Sequence, residues 1–264
     1  MKQLLPLILT LLMCLTLLPA CTKTPPVETE TPPPAEAEAD TPPVEAETPP
    51  AEAEMPSVLT YEIERTDASE GLPVSMFFEI PVFAGESDAA REINAVFAEA
   101  KRVFLEDEAP GVRDFVREAI GGEYGPTADA PYQNERTASV FTCDETLVSA
   151  AIAYNWYMGG VADYGVDTYN FDAATGALLT LRDLLPLSDD ELRETIVAAM
   201  LEQYPEIEDA GVTETPMDAV RAKPVESFRF YVADGAVHVC FNKYEITYGA
   251  AGAFDVTLPL APAR

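Results

Sequence analysis

RTASVFTCDETLVSAAIAYNWYMGG, residues 136–160, is the stretch on which the fold turns. Residues 136–143 and 147–158 are two runs of small, β-branched and aromatic side chains. They are parted by Asp144-Glu145 and stopped by Gly159-Gly160. Runs of this kind, punctuated by turn residues, predict a β-hairpin. Immediately downstream, residues 166–172 predict a further strand, which Ala173-Ala174-Thr175-Gly176 turns into another over 177–181. Upstream, residues 57–65 and 72–83 alternate as strands around the turn-rich segment DASEGLP. Residues 228–233, 237–241 and 253–260 complete the set, with a turn at Asp234-Gly235.

Helical periods interrupt the strands. Ile93, Val96, Phe97, Ala100 and Phe104 recur at three and four, so an amphipathic helix is expected from a cap at Asp88 through about residue 105. A second follows Pro110, with Val112, Phe115, Val116 and Ile120 inward, and stops at Gly121-Gly122. A third starts at Asp189 or Asp190, carries Leu192, Ile196, Met200 and Leu201, and ends near Tyr204. Strands dominate, and most links are too short for parallel crossovers. The expected class is α+β: an antiparallel β-sheet with helices packed on one face.

The chain begins differently. One charge at Lys2, an apolar run over residues 4–18 and the sequence Leu18-Pro19-Ala20-Cys21 predict a secretory signal over residues 1–20. The run is shorter than the roughly twenty residues a membrane span needs. Leu18, Ala20 and Cys21 resemble the bacterial lipobox, which makes Cys21 the expected site of lipid attachment. Pro19 is unusual there, and plain secretion with a coincidental cysteine is the competing reading. Two acyl chains anchor stably where one binds only reversibly. The expected location is therefore the outer face of the cytoplasmic membrane. Residues 21–57 repeat Pro-Pro followed by Glu-Ala-Glu and offer almost nothing to bury, so a disordered Pro/Glu-rich linker is expected. Residues 58–264 are left for an extracytoplasmic α+β domain, with 58–130 and 131–264 as its halves.

The acidity belongs to the domain as well as the linker. The net charge is −30, and the first 57 residues hold only Lys2, Lys23 and nine of the 46 acids. Such a surface repels nucleic acid and anionic headgroups and steers cationic partners towards it. Of four cysteines, Cys14 leaves with the signal and Cys21 takes the lipid. Cys143 and Cys240 remain, and outside the cytoplasm a disulfide between them is permitted. It requires their strands to be adjacent with Cβ atoms about 4 Å apart; two inert thiols are the alternative.

Two segments carry a family resemblance. The first is Tyr154-Asn155-Trp156-Tyr157-Met158-Gly159-Gly160, then Tyr169-Asn170-Phe171-Asp172, Thr175-Gly176 and Leu179-Thr180-Leu181-Arg182-Asp183-Leu184-Leu185. The second is Phe228-Arg229-Phe230, Asp234-Gly235, Tyr244-Glu245-Ile246-Thr247-Tyr248-Gly249-Ala250-Ala251-Gly252 and Val256-Thr257-Leu258-Pro259. Together they resemble the extracytoplasmic module shared by the sensor region of an anti-sigma-V factor and the N-terminal part of PdaC-like peptidoglycan deacetylases. The resemblance implies an α+β fold and binding at the cell surface; in the anti-sigma member the ligand is lysozyme. Val161-Ala162-Asp163 follows Gly159-Gly160 where the family often has Ala-His, so a role resting on that histidine does not carry over. Sigma-factor inhibition and deacetylation are not expected of this chain.

Catalytic patterns are sparse. His238, the one histidine, alternates within an expected strand and reads as an outward or satisfied core residue. It cannot aim at Cys240, because residues two apart on a strand share a face but diverge. Neither a serine elbow nor a phosphate loop appears. Asp163, Asp167 and Asp172 fit no calcium loop and read as a solvated strand edge. No metal, cofactor or enzymatic activity is expected. The aromatic cluster of Tyr154, Trp156, Tyr157, Tyr164 and Tyr169 is the best candidate surface, divided between core and solvent. Tyr157, Tyr164 and Trp156 are the expected ligand contacts. The leading reading is a lipid-anchored module that binds a basic, lysozyme-like protein or wall glycan. A passive envelope lipoprotein comes second and a wall hydrolase a distant third.

Overall fold

The computed structural model describes residues 58–209 and 214–260; the expected signal, Cys21 and the linker lie outside them. Strands β1 (Tyr61–Asp67), β2 (Val74–Phe83), β3 (Tyr132–Cys143), β4 (Leu147–Tyr157) and β5 (Ala162–Asp172) form one sheet in that order. Strands β6 (Arg229–Ala233), β7 (Ala236–Phe241) and β8 (Phe254–Pro259) form a second. The class is α+β, with helices on the sheets. All neighbours run antiparallel except β2 and β3, which are parallel from Val74↔Tyr132 to Phe78↔Arg136.

That parallel pair needs a long crossover, and the two N-terminal helices supply it. Helix α1 (Asp88–Val103) is capped by Ser87, whose Oγ accepts from the Ala90 N–H at 3.1 Å. Its apolar stripe buries Ile93 and Phe97 on the large sheet. Asn94 fastens the end of β2 to this helix: its amide accepts the Phe83 N–H and donates to the Phe83 carbonyl, both at 2.8 Å. A five-residue π turn, Phe104–Glu108, joins α1 to α2 (Ala109–Ala119), which has Pro110 in its first turn. Single π turns of this kind are rare and recur at functional sites.

Helix α3 (Leu181–Leu184) is one turn. Helix α4 (Asp189–Gln203) starts from a capping box in which the Ser188 N–H donates to Glu191 Oε2 at 2.9 Å. It lays Leu192, Ile196, Val197 and Met200 on Val237, Val239, Val256 and Leu258 of the small sheet. At the open edge of β8 the Gln203 amide stands in for a neighbouring strand, donating to the Thr257 carbonyl at 2.8 Å and accepting its N–H at 3.0 Å. Helix α5 (Pro216–Ala222), capped by Thr215, packs against α4.

The first six residues of β4 are buried without alternation because both faces are covered there. Val148, Ala150 and Ile152 face the helices, while Ser149 on the other face meets the small sheet. Beyond Ile152 one face opens to solvent and alternation returns.

Several expected boundaries shift. Strand β3 begins at Tyr132 and β5 at Ala162, both earlier than expected, because cross-strand pairing extends them through polar residues. The strand expected over 177–181 reduces to one bridge, Phe171↔Leu178, before α3 begins. The single sheet expected from the sequence is two sheets.

Candidate ligand-binding cleft

Alternation along β4 sends Tyr154 and Trp156 to the helix-covered side, opposite Asn155 and Tyr157. Across the β4–β5 ladder Tyr154 faces Gly165, and the next positions on that side of β5 are Asp163 and Asp167. Glycine at 165 gives these groups room: a Cβ would lie 2.6 Å from both Tyr154 Oη and Asn242 Cγ, so one of the two side chains would have to move. The phenol therefore reaches over β5 with a carboxylate to either side.

From β3, Arg136 pairs with Tyr154 in register. Its guanidinium donates to Asn134 Oδ1 at 2.9 Å and to Glu108 Oε2 at 3.0 Å. The guanidinium carbon lies 5.2 Å from the Phe104 ring centre and 5.4 Å from that of Tyr154. Glu108 is the last residue of the π turn, so that turn sets the acid opposite the arginine.

Two hollows meet at this group. The inner one, about 520 Å³, runs between Val96, Glu99 and Ala100 of α1 and Ile152, Asp167 and Tyr169 of the sheet. The outer one, about 470 Å³, lies between Val112 of α2 and Trp156, Val161 and Tyr244. Glu108, Arg136, Tyr154 and Asp163 line both, which makes one cleft with two lobes. Tyr244 comes from the segment after β7 and has a left-handed backbone, φ 69°. Beside it, Glu245 accepts from the Asn242 N–H at 2.8 Å and pairs with Lys223 and Arg229, which fixes this turn.

Acidic groups outnumber basic ones in the cleft. Among the described lining residues, Glu99, Glu108, Asp163 and Asp167 stand against one cation, Arg136, while Arg229 reaches Asp167 at 3.4 Å and Lys243 donates to the Ala162 carbonyl at 2.8 Å from the rim. Burial, then the charges of Asp163 and Asp167, holds the Tyr154 phenol above its usual range. Burial and Asp167 push Tyr169 up to about 12. Both phenols stay neutral at ordinary pH and act as hydrogen-bonding groups. The cleft can stack planar or cationic groups on its rings and accept hydrogen bonds at its carboxylates.

The residues singled out from sequence part company. Trp156 lines the outer lobe with Tyr154, and Tyr169 lines the inner one. Tyr157 and Tyr164 stand on the opposite face of the hairpin, 40% and 45% exposed. Tyr157 packs edge-on to Tyr132 at 6.4 Å, and Lys243 Nζ lies 5.7 Å from the Tyr164 ring. The sheet thus separates these two from Trp156. Asp172 lies apart from Asp163 and Asp167, its Oδ1 accepting from Ala174, Thr175 and the Thr175 hydroxyl in the turn after β5.

Cys143 and Cys240 are both free thiols. Cys143 ends β3 and donates to the Leu59 carbonyl at 3.1 Å; Cys240 is buried in β7 of the other sheet. His238 stacks on Tyr231 at 4.6 Å, with Nδ1 3.0 Å from Asp255 Oδ1, on the small sheet away from the cleft. Arg136, Asn134 and Glu108 escaped the sequence reading. The one available signal was Asn134-x-Arg136, two polar residues at strand spacing on the helix-facing side.

Residues 183–261 match the model of a family described as Protein of unknown function (DUF3298). The matched region holds α4 to β8 and, of the cleft, only Tyr244. No curated protein matches the chain. Among solved structures, a member of the DUF3298 family from Bacteroides fragilis is similar at 16% identity and a TM-score of 0.48, covering 76% of this chain and 88% of that one. A DUF3298 family protein from Pseudomonas aeruginosa is similar at 15% identity and a TM-score of 0.46, with the same coverage.

Proposed function

We propose that this chain is a non-enzymatic ligand-binding module, held by lipid on Cys21 at the outer face of the cytoplasmic membrane, and that its ligand is a basic protein of the lysozyme kind. The observation that carries the binding role is the two-lobed cleft, in which Tyr154, Trp156 and Tyr244 meet four carboxylates around Arg136. Clefts with ring walls and a few convergent polar groups are the default place for a ligand. The net charge of −30 favours a basic partner. The resemblance of residues 154–160 and 244–252 to the anti-sigma-V sensor and PdaC-like modules supports the same reading. Wall glycan is the second reading, because three rings in one cleft also offer stacking faces for sugars.

Three measurements test this. Equilibrium binding of lysozyme to the full chain, wild type against Trp156→Ala, should show micromolar or tighter affinity that falls at least tenfold in the variant. Co-sedimentation with purified wall would identify the glycan instead, and absence of both ligands would leave a passive lipoprotein. Cys21→Ala should move the protein from the membrane to the soluble fraction after a salt wash. Retention in the membrane fraction would remove the anchor from the proposal.

A further inference from the structure

We infer that the inner lobe of the cleft receives one alkylammonium or guanidinium group, seated between the Asp163 and Asp167 carboxylates against the ring of Tyr154. This rests on the binding reading above and names the chemistry the site recognises.

Carboxylates are common on this surface, but these two front an open volume of about 520 Å³ with an aromatic wall. Most acids around the lobe are already answered. Glu99 accepts from Arg102 at 2.7 and 2.8 Å, and Glu108 accepts from Arg136 at 3.0 Å. Asp167 is reached by Arg229 at 3.4 Å from outside the lobe. Asp163 differs: its carboxylate accepts the N–H of Tyr164 at 2.9 Å and, among the described residues, has no cationic partner. The unanswered charge of the cleft therefore sits beside the Tyr154 ring.

The sign of the ligand follows. An anion would face four carboxylates to reach one guanidinium that Glu108 and Asn134 already hold. A neutral apolar group would cover Asp163 without pairing it, which leaves a desolvated charge at a cost. A cation satisfies both the carboxylates and the negative face of the ring. Val96, Ala100 and Ile152 line the same lobe and suit the methylene stem that carries such a cation. Arg136 repels a second cation and limits the occupant to the Asp163–Asp167 side.

Such a group comes from a lysine or arginine of a protein or from a free polyamine. Calorimetry on the full chain at about 0.15 M salt, with spermidine, native lysozyme and lysine-acetylated lysozyme, separates the sources. Asp163→Asn keeps the acceptor for the Tyr164 N–H and removes only the charge; Glu123→Gln, on an exposed turn away from the cleft, is the control for general acidity. The expected result is a loss of at least tenfold for spermidine and for native lysozyme in Asp163→Asn, a change under twofold in Glu123→Gln, and weaker binding of acetylated lysozyme. Equal effects of the two variants, or lysozyme binding indifferent to both acetylation and Asp163→Asn, would overturn the inference and leave the binding module standing. Spermidine binding that depends on Asp163, with no lysozyme binding, would support the inference and remove the basic protein as ligand.

Discussion

Asn170 donates its Nδ2 hydrogen to the carbonyl oxygen of Phe230 at 2.6 Å, so a side chain on the face of one sheet completes the backbone edge of the other. Three more bonds repeat the device along β6. The Phe230 N–H donates to Thr168 Oγ1 at 2.9 Å, the Val232 N–H to Ser149 Oγ at 2.7 Å, and Thr142 Oγ1 to the Val232 carbonyl at 2.7 Å. An edge strand normally leaves these groups to water or to another chain. Here short polar side chains from β3, β4 and β5 take the place of a strand.

Ser149 is the member whose loss should be felt most. It is fully buried, accepts from Val232 and donates to Asn170 Oδ1 at 2.7 Å. Ser149→Ala strands a buried N–H and a buried amide oxygen, and each such group costs about 1–3 kcal/mol. Urea unfolding followed by circular dichroism should show a lower midpoint with an unchanged slope. A midpoint within scatter of wild type would mean that water serves the β6 edge and the side chains do not.

This junction also marks where the sequence stopped being readable. The hairpin over residues 136–158 and helix α4 were legible because their apolar periods and turn residues are local signals. The parallel pairing of β2 with β3 was not, since a strand's residues do not state which neighbour it takes. The second sheet was hidden for the same reason: Thr142, Ser149, Thr168 and Asn170 look like ordinary polar strand residues until β6 is laid across them. Helix α5 carries a local start signal, Thr215 followed by Pro216 and Asp218, but only seven residues of helix behind it. In the cleft the rings were legible as a cluster. Their division between two faces hung on the pairing of β4 with β5 and on where the small sheet stops covering the large one.

Gly165 offers a direct test of the cleft's geometry. A methyl at that position would lie 2.6 Å from Tyr154 Oη and from Asn242 Cγ. Asn242 also holds the open edge of β5, accepting from the Val166 N–H at 2.9 Å and donating to its carbonyl at 3.1 Å. Gly165→Ala should displace the phenol and loosen that edge, with a stability loss of about 1–3 kcal/mol typical of overpacking. Ligand affinity should fall with it, whereas Gly111→Ala, in helix α2 with open space around its Cβ, should leave affinity unchanged. Unaltered melting and binding in Gly165→Ala would show that Tyr154 does not depend on this glycine.

The thiols yield a chemical prediction. Burial pushes Cys240 up to about 12, and burial followed by Asp144 raises Cys143. The thiolate is the reactive form, so at pH 8.5 the folded protein should alkylate slowly at both, and at Cys240 only through unfolding. Iodoacetamide labelling read by peptide mass should show Cys240 modified in strong denaturant and protected without it. A Cys143–Cys240 cross-linked peptide from protein oxidised while folded would overturn the free-thiol state of the two residues.

The final prediction separates attraction from anchoring in the proposed complex with lysozyme. Net charge acts at long range and governs encounter, while desolvated contacts govern residence. Raising salt from about 0.05 M to about 0.3 M shortens the Debye length from ~14 to ~6 Å, so exposed carboxylates stop steering. Surface plasmon resonance should show an association rate that drops markedly across this range and a dissociation rate that changes far less. Trp156 lines the outer lobe beside Arg136 and Asn134, where an inserted partner group is shielded from the added salt. Trp156→Ala should therefore do the reverse, leaving association near wild type and speeding dissociation by the tenfold or more that an interface anchor of about 1.4 kcal/mol commands. Tyr157→Ala and Tyr164→Ala, on the other face of the sheet, should change dissociation by less than twofold if the cleft is the contact surface. A larger effect from those two than from Trp156 would move the interface across the sheet. Binding that vanishes at 0.3 M salt and ignores all three rings would reduce the acidic surface to an ion exchanger.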